Sequence, residues 1–170
     1  MDMNTPGLRS RIRDAYALFA RLASYLQSPL LLTLRIYWGL SFFQTGYGKL
    51  HKLGQITEYF ASLGIPNPGF NALLAACTEC FGGLLLLVGL ASRLTAIPLI
   101  VTMVVAYVTA EHESAAAFFN DQDKFISSAP LTYLMVSLIV FVFGPGVFSI
   151  DYLLGRKFAR PASGIANSSQ

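Results

Sequence analysis

Three side chains in "LLAACTECFGGLLLLVGL", residues 73–90, carry chemistry that an apolar run does not need: Cys77, Glu79 and Cys80. Cysteines three apart share one face of a helix. An accessible pair can exchange disulfides when one thiol ionises readily, and soft thiolates also suit copper(I). Here the setting is apolar and a carboxylate lies next door. Both disfavour the thiolate, and a bridge in mid-helix would require local distortion. Cys77 and Cys80 are therefore expected to pack, with redox activity and metal binding as the alternatives.

Glu79 is the more demanding residue, because an isolated charge at mid-membrane costs about 2.5–3.5 kcal/mol even on lenient scales. Arg35, in "PLLLTLRIYWGLSFFQTGYG", is the expected partner. At 1.5 Å per residue it lies roughly 8–9 Å from one end of its segment, and Glu79 lies roughly 13 Å from the opposite end of its own. In a core about 30 Å thick the gap of about 8 Å is within reach of an arginine. Such a pair either fixes helix register or serves a site, where Arg35 and Glu79 would orient and protonate a carbonyl oxygen. Lys49, His112, Glu111 and Glu113 fall near the ends of apolar segments, and Lys49 and His112 are placed at the mouth of that site. Neither histidine belongs to a zinc pattern, which needs four ligands at workable spacing. Gly82 and Gly83, with Ala75, Ala76 and Cys80, thin one side of their helix, so that a neighbouring helix or a flat ring such as a quinone fits against it.

The elements that position these residues follow from composition. Of 170 residues, 54% are hydrophobic and 12% charged, against roughly 25% charged in soluble domains; mean hydropathy is +0.55. The chain reads as an all-α integral membrane protein, a four-helix bundle. A bilayer-spanning helix needs about 20 apolar residues, and four segments qualify: about 29–48, 70–90, 94–110 and 129–148. The short turn "GLASRL" makes the second and third an antiparallel hairpin. Between the first and second, Ile56 to Leu63 is expected to form a short interfacial helix. Residues 1–28 mix arginines with Tyr16, Leu18, Phe19, Leu22 and Leu26, a pattern for an amphipathic helix on a membrane surface. They lack the apolar core and cleavage site of a secretory signal. Residues 29–150 form the membrane domain and 151–170 a polar tail. No internal repeat is evident.

The net charge of +3 comes from basic residues near the chain ends, which suits anionic lipid better than nucleic acid. With the N-terminus in the cytoplasm, Arg9, Arg11, Arg13, Arg21, Arg93, Arg156, Lys157 and Arg160 face inward and Lys49, Lys52 and Lys124 outward. That bias predicts that both termini are cytoplasmic.

These residues resemble the DoxX family of small four-span membrane proteins. The likeness rests on Arg35, on "GLSFFQTGYGKL" with Gly39, Phe43, Gly46 and Lys49, and on "FASLGIPNPG". It rests most on "TECFGGLLLLVGLASR", with Glu79, Gly82, Gly83, Gly89 and Arg93. The resemblance implies a bundle in the bacterial cytoplasmic membrane and a redox theme. Members include a subunit of a thiosulfate:quinone oxidoreductase and part of an oxidoreductase complex handling thiol stress. Cys77 and Cys80 stand outside the pattern. The function expected is a membrane subunit of a redox system that binds a quinone or passes electrons or protons to a protein partner. The alternatives are an assembly scaffold and a small metal or solute carrier.

Overall fold

The structure, a computed structural model, describes residues 8–158. Every regular element in that range is helical. Helix α1, Leu8–His51, runs 44 residues, roughly 66 Å. The expected boundary at residue 28 is not a break, because the helix continues through Pro29. Proline is tolerated in membrane helices where side chains and neighbours accommodate the freed backbone groups. After a one-residue interruption, α2 (Leu53–Ser62) forms the short connecting helix expected around residues 56–63 and packs on α3. Helix α3 spans Pro68–Val88, with proline in its first turn, where a missing N–H costs nothing. Gly89 ends it at φ 71°, the left-handed geometry that glycine adopts without steric penalty. Helix α4 is Ser92–Thr109, so the tight antiparallel hairpin is present.

Two short helices follow, α5 (His112–Ala116) and α6 (Gln122–Ser127), joined by a 3-10 turn at Ala117–Phe119. Helix α7 is Ala129–Phe143 and α8 is Ile150–Phe158. The three helices α1, α3 and α4 are long and apolar enough to cross a membrane; α7 is an apolar helix of 15 residues. The long helices close a ring: α1 packs on α3, α3 on α4, α4 on α7 and α7 on α1.

The packing is inverted relative to a water-soluble bundle. Facing outward are Tyr37, Leu40, Leu74, Phe81, Leu94, Val101, Val108 and Val142, whereas Arg35, Glu79, Thr95 and Ser137 are buried. An apolar belt of that extent requires lipid. The small apolar core of Phe42, Leu86, Leu99, Met103 and Val140, flanked by Tyr133 and Leu134, lies between the helices.

Glycines set how closely α1 and α3 approach. A Cβ on Gly39 would lie 2.9 Å from the Leu87 nitrogen, one on Gly83 would lie 2.5 Å from the Phe43 nitrogen, and one on Gly46 would collide with the Cys80 backbone. Close backbone approach through small residues is the usual contact between membrane helices. Gly46→Ala is therefore expected to push α1 from α3 and destabilise by about 1–3 kcal/mol, lowering the melting temperature in detergent. Among the described residues, Gly48 has nothing within 4 Å of its would-be Cβ. Gly48→Ala is expected to be neutral or to stabilise by up to about 1 kcal/mol through helix propensity. Equal melting temperatures for the two variants would refute this interface.

Candidate functional site

The register defined by those glycines decides which charges meet. Gly39 lies against Leu87, Phe43 against Gly83 and Gly46 against Cys80, in antiparallel order. One turn beyond Gly46, Lys49 comes beside the turn that holds Glu79. Lys49 Nζ donates to Glu79 Oε1 at 2.5 Å. Glu79 is 1% exposed, while the Lys49 side chain retains 26%, so its aliphatic stem reaches inward while the chain enters from the surface. Glu79 Oε2 is buried and has no hydrogen-bond partner among the described residues.

Beside this pair lies a cavity of about 160 Å³, lined by Phe42, Thr45, Lys49, Glu79, Met103, Ala106, Ala129, Pro130 and Tyr133. Helices α1, α3, α4 and α7 all contribute to it. Thr45 spends its hydroxyl on the Ser41 carbonyl one turn back. Tyr133 is held edge-on between Trp38 and Phe42, with ring centroids 4.8 and 4.6 Å away. The walls are thus mainly apolar and aromatic, with one ammonium, one carboxylate and the Tyr133 hydroxyl as polar groups.

Arg35 is not the partner of Glu79, which corrects the expectation drawn from depth alone. The same register carries Arg35 past Leu87, about twelve residues or roughly 18 Å along the helix from Glu79. Its guanidinium is 1% exposed and donates to four backbone carbonyls: Leu86 (3.0 Å), Leu87 (3.2 Å), Pro145 (2.5 Å) and Phe148 (3.1 Å). Two of these belong to the last turn of α3, where a cation is favoured; the Leu86 carbonyl also accepts from Gly89 N–H (3.2 Å). The other two belong to the α7–α8 connection, so Arg35 ties three segments together at the end of the bundle remote from the cavity. Sequence reasoning missed its companion, Asp151. The Asp151 carboxylate accepts from Ala91 N–H (2.6 Å) and Ser92 N–H (2.8 Å), capping α4 from 60 residues away. The sequence hint was an acidic residue opening an otherwise basic tail.

The remaining expected residues also find places. Gly82 faces Leu99 of α4 and Gly83 faces the α1 backbone. Neither lines the cavity, and neighbouring helices fill the space that was expected for a flat ring. His112 is exposed at the start of α5 and does not line the cavity either. Glu111 accepts from Ser114 Oγ. Glu113 and Lys124 form an exposed pair at 2.9 Å. The hydrogen bond and charge of Lys124 hold the Glu113 carboxyl below its usual range, and Glu113 in turn raises Lys124. Their mutual support exists between the ordinary carboxylate and ammonium values. It fades as pH falls through the depressed carboxyl value or rises through the elevated amine value. At full exposure it contributes little.

Cys77 is half-buried and Cys80 buried, both as free thiols, and Cys80 sits in the glycine-lined contact with α1. Thiol labelling of the folded protein is expected to modify Cys77 well before Cys80. Joint replacement of both by alanine is expected to leave any electron-transfer activity intact. Loss of activity with the fold retained would return the thiols to the chemistry.

The molecule is thus an all-α membrane protein with a buried carboxylate, salt-bridged to a lysine, at the edge of an interhelical cavity. The DoxX family profile matches residues 30–112. "Inner membrane protein YqjF" of Escherichia coli (strain K12) is 30% identical over 128 residues, 75% of this chain and 93% of that protein. "Putative oxidoreductase CatD" of Bacillus subtilis (strain 168) is 29% identical over 105 residues, 62% of this chain and 70% of that protein. The chain belongs to the DoxX family. No solved structure matches it.

Proposed function

We propose that the protein is a membrane subunit of a redox system and that its cavity receives the ring of a quinone-type carrier between Lys49, Glu79 and Tyr133. The observation that carries this reading is the cavity itself. An apolar cavity of about 150 Å³ accommodates one benzene ring, and the cavity beside Glu79 is of that size. A ring site needs an apolar slot with a few convergent polar groups. Here Lys49 is the donor for a ring oxygen and Glu79 the group that holds or releases a proton beside it. The name of the CatD relative, an oxidoreductase, agrees with a redox role. Arg35 and Asp151 are positioning residues in this scheme, bracing the far end of the bundle. The chain is read as four spans in a bacterial cytoplasmic membrane with both termini inside, placing the cavity at the outer end. A protein partner would complete electron transfer.

A second reading, a scaffold subunit, draws support from Arg35, whose charge is wholly used in holding backbone together. The test that separates them is lipid extraction and an absorbance spectrum of the purified protein, together with activity of Glu79→Gln in cells. Bound quinone in the wild type, and its loss with activity in the variant, supports the carrier site. An absence of quinone with a fully active variant defeats it.

A further inference from the structure

We infer that the cavity selects a ring bearing a hydroxyl, a phenol or hydroquinone, over one bearing only carbonyl or ether oxygens. The inference rests on the ring-site reading above and adds the polarity of the group that meets Glu79. Two residues that line the cavity, Glu79 and Lys49, carry unspent hydrogen-bonding functions, and the hydroxyl of a third, Tyr133, makes no hydrogen bond among the described residues. Glu79 Oε2 is a carboxylate oxygen, fully buried and without a donor among the described residues. Lys49 Nζ gives one N–H to Glu79 Oε1, the single hydrogen bond it makes among the described residues, and an ammonium carries three. A buried acceptor left unsatisfied is costly, and hydrogen bonds to charged groups are among the stronger ones. The occupant that relieves both must donate to one atom and accept from the other. A hydroxyl oxygen does both, since it carries one O–H and two lone pairs. A carbonyl or ether oxygen can only accept; it would satisfy Lys49 and turn its own lone pairs toward Oε2.

The walls restrict what can carry that hydroxyl. Phe42, Met103, Ala106, Pro130 and the ring of Tyr133 offer apolar and aromatic contact, the Tyr133 hydroxyl being the one further polar group, and Thr45 is already bonded to its own helix. The volume of about 160 Å³ holds one six-membered ring. A sugar or amino acid would bring polar groups that the walls leave unpaired. A water molecule could bridge the two polar atoms but would leave most of the volume empty, so it is the natural competitor for the polar edge.

The experiment uses the full chain in lipid nanodiscs and titrates phenol and anisole, rings of similar size that differ in the presence of the O–H. Ala106→Leu, which fills the cavity, supplies the background from lipid partitioning. Phenol is expected to bind about tenfold or more tightly than anisole after subtraction, and 1,4-hydroquinone to compete with it. In Glu79→Leu the preference should fall to within about twofold. If both rings bind with equal affinity and Ala106→Leu abolishes both, the ring site stands and the hydroxyl selection is wrong, with water holding the polar edge. If neither ring binds above the background, the ring-site reading falls and takes this inference with it. The central comparison changes only the ligand, so it does not depend on Glu79→Leu folding, and the fold of Ala106→Leu is checked by its melting temperature in the same nanodiscs.

Discussion

Lys49→Met is expected to be among the most damaging single changes in the membrane domain, costing about 3–5 kcal/mol, because it strands a buried charge. Glu79 would lose its one hydrogen-bond partner among the described residues while remaining 1% exposed. Glu79→Leu is expected to cost clearly less. Lys49 keeps a quarter of its surface accessible, and a lysine released from its partner can turn its ammonium to the interface. The double variant Lys49→Met/Glu79→Leu is expected to recover most of the loss, since an apolar replacement of a buried pair is often neutral or stabilising. Melting temperatures of the four proteins in one detergent make the measurement. Additive losses in the double variant would show that the two residues are not coupled. The same set separates structural from functional use. A double variant as stable as the wild type and inactive in cells places the pair in function; one both stable and active makes it a device for helix register.

Removal of the guanidinium at Arg35 is expected to rival that effect through a different cause. Arg35→Met leaves four carbonyls without this donor: those of Leu86 and Leu87 at the end of α3 and those of Pro145 and Phe148 beyond α7. Buried groups stripped of a partner cost about 1–3 kcal/mol each, although measured interhelical bonds in membranes average nearer 0.6. A total of at least about 3 kcal/mol is expected, which for a chain of this length lowers the melting temperature by roughly 6–12 °C. Arg35→Lys should rescue only part of this, because an ammonium cannot present the planar fork that reaches separated acceptors. Equal stability of the lysine variant and the wild type would refute the clamp. If ring binding in the cavity survives in whatever fraction of Arg35→Met stays folded, the two ends of the bundle are independent.

Much of the architecture was legible because apolar length, turn residues and charge depletion are local signals. The α3–α4 hairpin, the short helix after α1 and the interior position of Glu79 were read from such signals. Its partner was misassigned because depth from each segment end assumes that helix ends are level. The glycines contained the better ruler: Gly39, Gly46 and Gly83 fix the α1–α3 register, and that register brings Lys49, not Arg35, to Glu79. The cavity itself was not readable. Met103, Ala106, Ala129 and Tyr133 come from helices whose rotation about their axes no pattern in α4 or α7 specifies, since both are apolar nearly all round. Asp151 was missed for a related reason, as a cap delivered across 60 residues leaves no local spacing to detect.

The Arg35 clamp also constrains how the protein is made. Its acceptors on α3 are 51 and 52 residues downstream, but those at Pro145 and Phe148 are 110 and 113 residues downstream. During synthesis, α1 must therefore enter the bilayer with its arginine only partly satisfied. It waits there until nearly the whole membrane domain has left the ribosome. A chain stalled before residue 145 holds an incompletely bonded guanidinium in the membrane, a state that snorkelling toward the interface would relieve. Completion of the C-terminal segment thus supplies the last two acceptors of Arg35 and locks the first helix, and gives the cell a molecular difference between an unfinished copy and a finished one.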